Sequence, residues 1–389
     1  MALQGLPKFK SVYPWRDDTY CKLLVNSAVF LPAMLESIQM ARQYILLEMY
    51  LVESGAVTTQ LIDALLEAAD RNVTIRIVFD DFGTRELNTV DRARLVHPAI
   101  EIVFYHPLRF TRLHQYLFRD HRKLLLVDGM VGFTGGVGFS DGTPTKSGTR
   151  SAWHDIVVQF KGRVVGDWQD LFITQWQRIT HIELALPPYP PKSIISATQV
   201  NATHASTTRL VSSQPARANP IYGHLRQHAT LANQRLWIAT AYFLPSWRLR
   251  RTIHQAAKRG VDVRLLLPGP ITDNPAVRYA SQRFYMGLLK AGIRIYEYQP
   301  AFMHAKTTLV DNWASVGSSN FDRWSMSRNL EANLEISDEG FATEFKRIFR
   351  QDFLQAEEIT LDIWAQRPAS QRWREKIWGM LEAWLNRHK

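Results

Sequence analysis

The chain has 389 residues, of which 46% are hydrophobic, and this is enough for two cores of ordinary domain size. Its single cysteine, Cys21, excludes an intramolecular disulfide and a cysteine-based zinc cluster. The formal net charge of +11 favours a polyanionic partner, either nucleic acid or an anionic lipid surface.

Targeting and membrane-spanning signals are absent from the sequence pattern. Residues 1–20 lack the basic start and apolar stretch of a signal peptide. The longest apolar runs are interrupted by charged residues or glycines before they reach a spanning length. We therefore expect a soluble or peripheral protein, and the low cysteine content fits a cytoplasmic location.

The first half of the chain predicts strands and a helix in a fixed order. YILLEMYLV at 44–52 is an apolar strand that carries a tyrosine near its end. LIDALLEAADRNVTIRIVFDD at 61–81 has helical spacing first and strand alternation from residue 73 onwards. AIEIVFYHP at 99–107 is the next strand. The order is typical of an α/β unit.

The segment LRFTRLHQYLFRD at 108–120 mixes aromatic and aliphatic residues with arginines. A loop of this composition beside a site can meet lipid chains and headgroups. Helical spacing alone fits equally well with a helix packed on its own lobe. The motif HRKLLLVD follows at 121–128, and small residues follow it at 135–138.

The second half repeats this order at an offset near 190 residues. A strand at 235–245 is followed by a helix and strand at 249–269, a strand at 292–300 and HAKTTLVD at 304–311. Such internal repetition predicts a duplicated α/β unit with two lobes related by a pseudo-two-fold axis. The segment LPPYPP and the Ser, Thr and Ala residues after it are typical of a linker.

The domain boundaries follow from this repetition. We predict a first lobe at 1–185, a linker at 186–209, a second lobe at 210–360 and a basic, aromatic tail at 361–389.

Both repeated motifs fit His-x-Lys-x-x-x-x-Asp. One such match is explained by a surface His and Lys at a strand start, but two matches at equivalent points of a duplicated unit indicate chemistry. Side chains two apart on a strand share a face, so the pairs His121–Lys123 and His304–Lys306 each project together. The two lobes would bring both pairs to one cleft.

This arrangement suits displacement at a phosphodiester. One histidine attacks phosphorus while the other protonates the leaving oxygen in line with it. The two lysines hold the non-bridging oxygens and supply the positive charge there, so we expect no metal and no cofactor. Asp128 and Asp311 fall on the opposite strand face, and we expect them to be buried, hydrogen-bonded framework residues of the catalytic motif.

The paired motif resembles that of the phospholipase D superfamily. The longer segments AYFLPSWRLRRTIHQAAKRGVDVRLLLPG and MHAKTTLVDNWASVGSSNFDRWSMSRNLEAN resemble bacterial cardiolipin synthases of the short type without amino-terminal membrane helices. The resemblance covers nearly the whole chain and implies an α/β fold of two phospholipase D-like lobes with one active site between them.

The resemblance also implies roles for individual residues. His121 and His304 are the nucleophile and acid, with His121 the expected nucleophile, and Ser318 and Asn320 join Lys123 and Lys306 around the phosphate. Members of the family place a carboxylate behind each histidine, tens of residues downstream. The candidates are Asp155 and Glu331, which orient the imidazoles unless they are solvated carboxylates at strand ends.

The sequence departs from the family pattern at Gly138. The family usually has asparagine there, so the first half-site lacks one side-chain amide. The adjacent Asp80 and Asp81 face opposite sides of a strand, and we interpret them as structural rather than metal-binding.

The tail segment at 370–389 predicts an amphipathic helix with Ser370 as its N-cap. Its apolar face carries tryptophans and aliphatic residues, namely Trp373, Ile377, Met380, Leu381, Trp384 and Leu385. Basic residues and a third tryptophan, Trp378, suit a membrane interface, whereas docking on the lobes is an equal alternative.

Two classes of function remain after these steps. The first is an enzyme of phosphodiester exchange, either a phosphatidyl transferase or a hydrolase of phospholipid or nucleic acid. The second is a catalytically idle protein that binds anionic surfaces, and the intact His–Lys pairs argue against it. We favour a cardiolipin synthase that acts on phosphatidylglycerol at the cytoplasmic face of the cell membrane, with no nucleic acid partner. The acceptor and the oligomeric state stay open.

Overall fold

The computed structural model describes residues 8–108, 117–144, 150–186, 205–215 and 217–385. The first seven strands of this part are β1 (Arg16–Val25), β2 (Tyr44–Met49), β3 (Thr74–Asp80), β4 (Ile100–Tyr105), β5 (Arg119–Asp120), β6 (Lys123–Val127) and β7 (Val131–Gly135). The next seven are β8 (Thr143–Pro144), β9 (Arg150–Ser151), β10 (Ile156–Lys161), β11 (Ser206–Ser213), β12 (Arg235–Thr240), β13 (Phe243–Leu244) and β14 (Asp262–Pro268). The last six are β15 (Arg294–Tyr298), β16 (Lys306–Val310), β17 (Trp313–Gly317), β18 (Phe321–Asp322), β19 (Asn329–Ser337) and β20 (Ala356–Ile359).

The helices lie between these strands and after them. Those of the first half are α1 (Ser27–Gln39), α2 (Ala56–Asp70), α3 (Thr89–Arg94) and α4 (Val164–Thr180). Those of the second half are α5 (Pro220–Leu231), α6 (Trp247–Lys258), α7 (Pro275–Gln282), α8 (Tyr285–Lys290), α9 (Arg323–Arg328), α10 (Glu339–Leu354), α11 (Leu361–Ala365) and α12 (Ala369–Leu385).

One large sheet runs through both halves of the molecule. Its order is β20-β15-β14-β12-β16-β17-β19-β11-β1-β10-β7-β6-β2-β3-β4, and β5 pairs with β19 off this path. From the central contact of β1 with β11, the strands follow in equivalent order in the two directions. The predicted α/β fold of two duplicated lobes is therefore confirmed.

Equivalent strands pair in the same register in the two lobes. β2 and β3 are parallel, as are β12 and β14, because a helix crosses between the members of each pair. β2 and β12 each also pair with the motif strand, β6 or β16, in the antiparallel sense. Lys123 lies opposite Met49 and Lys306 lies opposite Thr240, so the start of each motif lies at the carboxyl end of a parallel strand.

Helices cover both faces of the sheet, and alternate strand residues point to opposite faces. On one face α1 and α2 enclose the core of the first lobe, while α5, α6 and α8 enclose that of the second. On the other face α4 and α10 contribute Trp168, Phe172, Phe345 and Phe349 to one cluster with strand residues of both lobes. The lobes therefore share a core on this face and form one body.

Two helices of the second lobe begin with side-chain caps. The side chain of Asn219 accepts a hydrogen bond from the amide of Tyr222, with Pro220 in the first turn of α5. Ser246 caps α6 by accepting from the amide of Leu249 at 3.3 Å. Polar residues just before apolar helical spacing thus fix where these helices begin.

The structure adjusts several predicted boundaries. β11 begins at Ser206, within the segment predicted as linker, whereas residues 187–204 lie outside the described part. Of the segment at 108–120, the structure describes residue 108 and residues 117–120, and the last two of these form β5. α12 begins at Ala369, so Ser370 lies inside the helix and the prediction of an N-cap there is wrong.

Across the described residues, none of the helices combines the length and apolarity that crossing a bilayer requires.

Candidate active site

Both motif histidines lie just outside the strands predicted to carry them. β6 begins at Lys123 and β16 at Lys306, so each histidine stands in the connection before its strand. The amide of His121 donates to the carbonyl of Leu330 at 3.0 Å, and that of His304 donates to the carbonyl of His154 at 2.8 Å. Each histidine is therefore held by the backbone of the opposite lobe.

Each histidine also pairs with a carboxylate of the opposite lobe. Nδ1 of His121 lies 2.9 Å from Oε1 of Glu331, and Nδ1 of His304 lies 2.8 Å from Oδ2 of Asp155. All four side chains are buried. The structure thus places Asp155 and Glu331 beside the histidines and not in solvent. Each carboxylate follows the histidine of its own lobe in the sequence, which suggested a pair within each lobe. That interpretation is wrong, because the pairs cross between the lobes.

Further side chains hold Glu331 in place. The hydroxyl of Ser318 donates to Oε2 of Glu331 at 2.5 Å, and Nδ2 of Asn329 donates to Oε1 at 3.1 Å. The hydroxyl hydrogen of Ser318 is therefore committed to a carboxylate, which differs from its predicted role at a phosphate. Ser318 acts on the site through Glu331 and thus through the orientation of His121.

The two motif lysines are buried beside the histidines. Nζ of Lys123 donates to the carbonyl of His121 at 2.5 Å, and Nζ of Lys306 donates to the carbonyl of His304. Lys123 also lies over the ring of Tyr50, 5.0 Å from its centroid. The lysines are held in equivalent positions in the two lobes.

The glycines after the first motif have steric reasons to be glycine. A Cβ on Gly136 would lie 2.5 Å from a carboxylate oxygen of Asp155, so only glycine leaves room for the partner of His304. A Cβ on Gly138 would lie 2.9 Å from Cβ of Leu51. Leu51 thus takes space that an asparagine at 138 would need. Asn320, the counterpart of Gly138 in the second lobe, is buried and lines the cleft.

Asp128 and Asp311 perform the same structural task in the two lobes. Asp128 accepts hydrogen bonds from the amides of Arg42, Gln43 and Tyr44 at 2.8–2.9 Å. Asp311 accepts from the amides of Asn233, Gln234 and Arg235 at 2.9 Å. Both residues have left-handed φ values, 54° and 49°. They are hydrogen-bonded as predicted but half-buried rather than buried, because they lie in the turns that follow β6 and β16. They fix the start of β2 and of β12.

A cleft of about 590 Å³ lies between the lobes and contains both histidines. The first lobe lines it with Tyr50, Leu51, Glu53, Arg119, His121, Lys123, Gly136, Gly138 and Trp153. The second lobe lines it with Tyr242, Leu244, Asp273, Asn274, Ala276, Val277, Ala280, His304, Asn320, Asp322, Ser325 and Asn329, and α12 adds Trp378. Charged groups therefore meet at one place in a cleft whose walls are otherwise largely apolar and aromatic.

Aromatic rings hold the imidazoles from the cleft side. The ring of Tyr50 meets His121 edge-on with centroids 4.8 Å apart, and Trp153 lies 4.6 Å from His304. Sequence reasoning gave none of these residues a role in the site. The signal was present for Tyr50, which matches Tyr242 at the repeat offset, and Trp153 is close to Asp155 in the sequence.

Burial shifts the pKa of both histidines downwards. Desolvation, with the positive charges of Lys123 and Lys306, holds the pKa of His121 well below its ordinary value. Desolvation and Lys306 lower the pKa of His304 to about 4, although the hydrogen bond to Asp155 opposes this shift. Both imidazoles are therefore neutral near pH 7 in the free site, which is the state that a nitrogen nucleophile or a general base needs, whereas a general acid has first to take up a proton.

The lysines and carboxyls of the site are shifted as well. Burial lowers the pKa of Lys306 to about 8 and that of Lys123 well below its ordinary value. Burial raises the pKa of Glu331 to about 8, against the opposing charge of Lys123. Burial acts in the same direction on Asp155, but the hydrogen bond from His304 and nearby charges outweigh it and lower its pKa. The two histidines thus have carboxyl partners of different basicity.

Metal-ligand geometry does not occur in the described part of the chain. No group of three or more His, Cys, Asp or Glu side chains there converges on one point. Asp80 is buried and accepts hydrogen bonds from the amides of Asp120, Phe82 and Gly83. It therefore serves the connection that leads to His121.

Comparisons with known proteins give consistent results. The family model described as "Cardiolipin synthase, PLD-like domain" matches residues 34–176 and 225–353, one match in each lobe. Cardiolipin synthase 2 of Bacillus anthracis is 30% identical over 372 residues, which cover 95% of this chain and 71% of that protein. Cardiolipin synthase A of Pseudomonas putida is 31% identical over 364 residues, which cover 93% of this chain and 74% of that protein.

A solved structure shares the fold at lower identity. The crystal structure of phosphatidylserine synthase from Haemophilus influenzae aligns with a TM-score of 0.68 and 14% identity, over 94% of this chain and 93% of that one. Taken with the family match in both lobes and the relatives of about 30% identity, the chain belongs to the cardiolipin synthase family of phospholipase D-like phosphatidyltransferases.

Proposed function

We propose that the protein is a cardiolipin synthase that converts two molecules of phosphatidylglycerol into cardiolipin and glycerol. The observation that carries the proposal is the pair of histidines in one cleft, each with its Nδ1 beside a carboxyl group of the other lobe. When Nδ1 is engaged in this way, Nε2 on the other side of each ring is the atom that reacts.

In the first step we assign the attack to His121. Its Nε2 forms a bond to the phosphorus of phosphatidylglycerol while the bond from phosphorus to the glycerol oxygen breaks. His304, which takes up a proton at Nε2 before this step, gives that proton to the leaving glycerol oxygen. The phosphatidyl group is then held on His121, and Lys123, Lys306 and Asn320 are the proposed ligands of its phosphate oxygens.

In the second step the glycerol hydroxyl of another phosphatidylglycerol gives its proton to Nε2 of His304. Its oxygen then attacks phosphorus, and the bond from phosphorus to His121 breaks. The product is cardiolipin, and both histidines return to their starting state. One phosphodiester is exchanged for another, so the step requires no nucleotide to drive it.

The different carboxyls support this division of roles. Attack by Nε2 makes the phosphorylated imidazole of His121 cationic, and the Glu331 carboxyl, 2.9 Å from Nδ1, is placed to orient the ring and to stabilise that charge. Asp155, with its lowered pKa, stays ionised beside His304 and opposes the lowering of the His304 pKa, so it assists the protonation that a general acid requires.

The apolar walls of the cleft support a lipid substrate. Leu51, Leu244, Val277 and Trp378 lie around the reactive groups and can receive the glycerol and acyl parts of the substrate. They also limit the access of water, which competes with the acceptor for the phosphatidyl group. We infer that the enzyme works as a peripheral protein on anionic lipid, at the cytoplasmic face of the cell membrane.

Product analysis with radiolabelled phosphatidylglycerol vesicles tests the proposal. We expect cardiolipin and free glycerol in equal amounts, without added nucleotide. Phosphatidic acid as the sole lipid product would show a hydrolase and contradict the synthase assignment. A variant with His121→Ala and His304→Ala provides the blank for contaminating activity.

A further inference from the structure

Helix α12 packs on the connection that precedes it and on the second lobe through a polar and small edge. Glu375 is 4% exposed and forms a double ion pair with Arg367, at 2.8 and 3.0 Å. Gly379 is also buried, and its carbonyl accepts a hydrogen bond from Arg283. A Cβ on Gly379 would lie 2.8 Å from Cδ of Arg283, so glycine allows this close approach.

Three large apolar side chains of α12 point away from the protein. Trp373, Ile377 and Met380 are 63%, 52% and 56% exposed, and their spacing puts them on one side of the helix. An amphipathic helix on a globular protein ordinarily buries its apolar side. Single exposed apolar residues are common, but a stripe of three large ones indicates a surface that another partner covers.

Helix α12 lies at the mouth of the cleft. Trp378 of the same helix lines the cleft. The guanidinium of Arg283 lies 4.5 Å from the ring of Phe284, and Arg250 of α6 lies 4.6 Å from the same ring. Arg283 also bonds to Gly379, so Phe284 and Arg283 connect α6 to α12.

Helix α6 adds positive charge to the region. Trp247 at its start is 54% exposed, and Arg251 and Lys258 are exposed along a groove that Arg250 and His254 also line. We call the combination of Trp373, Ile377 and Met380 on α12 with Trp247, Arg251 and Lys258 on α6 the interfacial surface.

We propose that the interfacial surface seats the protein on an anionic lipid bilayer and thereby holds the mouth of the cleft at the headgroups. Large apolar residues with basic neighbours are the composition by which helices lie in a membrane interface. The proposal rests on the proposed function, because a substrate that resides in a bilayer must reach His121 and His304 from the membrane.

Charge favours a bilayer over a second copy of this chain. In a symmetric dimer the same patch occurs on both subunits, so Arg251, Lys258 and Lys376 would face a copy of the same basic patch. The net charge of +11 adds to this repulsion, whereas anionic headgroups reverse its sign.

The test measures vesicle binding by the full-length protein with Trp373→Glu, Ile377→Glu and Met380→Glu together. On vesicles of phosphatidylcholine with an equal share of phosphatidylglycerol, we expect at least about tenfold weaker binding, since three apolar contacts are lost. The matched control is Met40→Glu with Val96→Glu, which changes residues that are 70% and 83% exposed on the first lobe. It should bind like the unaltered protein.

A second measurement does not depend on loss of binding. A polarity-sensitive fluorophore on Ile377→Cys, in a Cys21→Ser background, should shift to the blue when these vesicles are added. The same label on Met40→Cys should not shift. A blue shift of the Ile377 label at high protein concentration without lipid would indicate self-association through this face and overturn the proposal.

Turnover of a soluble short-chain diester separates this proposal from the proposed function. The triple variant should cleave it at an unchanged rate, because its substitutions lie outside the histidine site. Unchanged vesicle binding by the triple variant would overturn the interfacial surface and leave the chemistry standing. Failure of the unaltered protein to act on any diester would contradict the proposed function, while the binding comparison still decides the surface.

Discussion

Nδ1 of His121 in the first lobe lies 2.9 Å from Oε1 of Glu331 in the second. The reciprocal pair joins His304 of the second lobe to Asp155 of the first at 2.8 Å. Backbone hydrogen bonds from His121 to Leu330 and from His304 to His154 follow the same crossing. Neither lobe alone therefore contains a complete histidine–carboxylate pair, and the site depends on their association.

The first prediction concerns Glu331. Glu331→Gln should lower kcat/KM for a soluble diester by about a hundredfold to ten-thousandfold, because the amide cannot hold the Nδ1 proton as the carboxyl does. Steady-state kinetics on purified protein checks this. The control is Glu335→Gln on the same strand. This change removes ion pairs to Arg209 and His224 but no contact with either motif histidine. If both variants lost activity equally, Glu331 would be only a packing residue.

The second prediction concerns the asymmetry at Gly138. Gly138→Asn should destabilise the protein by about 1–3 kcal/mol through overpacking, because its Cβ would meet Leu51. Thermal unfolding measures this cost. In a Leu51→Ala background the cost of Gly138→Asn should be smaller, because Cδ2 of Leu51, 3.0 Å from the added Cβ, is removed while the Cβ at 2.9 Å stays. An equal cost in both backgrounds would show that Cδ2 of Leu51 is not part of the obstacle.

The third prediction is a pH dependence. Burial lowers the pKa of Lys306 to about 8, so this lysine loses its positive charge as the pH rises through that value. The phosphate then loses a ligand charge, and kcat/KM should fall on the alkaline side near pH 8. The lowered pKa of His121 keeps this nucleophile neutral, so the acid limb should lie below pH 6.5. An alkaline limb only near 10.5, the ordinary lysine value, would contradict the assigned role of Lys306.

The fourth prediction is that activity survives chelation. Lys123 and Lys306 supply positive charge where a divalent ion would act in other phosphoryl-transfer sites. Turnover after prolonged EDTA treatment and gel filtration should equal that of the untreated enzyme. Inactivation that a divalent ion reverses would show that the lysines do not suffice.

Much of the fold could be predicted from the sequence because it is duplicated. The repeat of Tyr50 at Tyr242 and of His121 at His304 fixed the equivalent strands, and local spacing fixed their helices. The crossing of Glu331 to His121 and of Asp155 to His304 could not be predicted in this way, since it is a long-range contact with no local signal. The same holds for α12, where sequence spacing identified the apolar stripe of Trp373 but not the side that docks.

Capture of the covalent intermediate tests the central claim most directly. In His304→Ala, a diester with a good leaving group such as p-nitrophenol needs no general acid for the first step, but the acceptor has no general base for the second. We expect this variant to release one equivalent of nitrophenol in a burst and then to stall. His121→Ala should give no burst, and neither variant should complete turnover with phosphatidylglycerol.

Mass spectrometry of the stalled His304→Ala protein, digested under alkaline conditions that preserve phosphohistidine, should find the phosphatidyl group on the peptide that contains His121. If the His121→Ala protein carried an adduct on His304 and the His304→Ala protein carried none on His121, the roles of the two histidines would be reversed. The absence of an adduct from both variants, with turnover retained, would contradict a covalent histidine mechanism in this cleft.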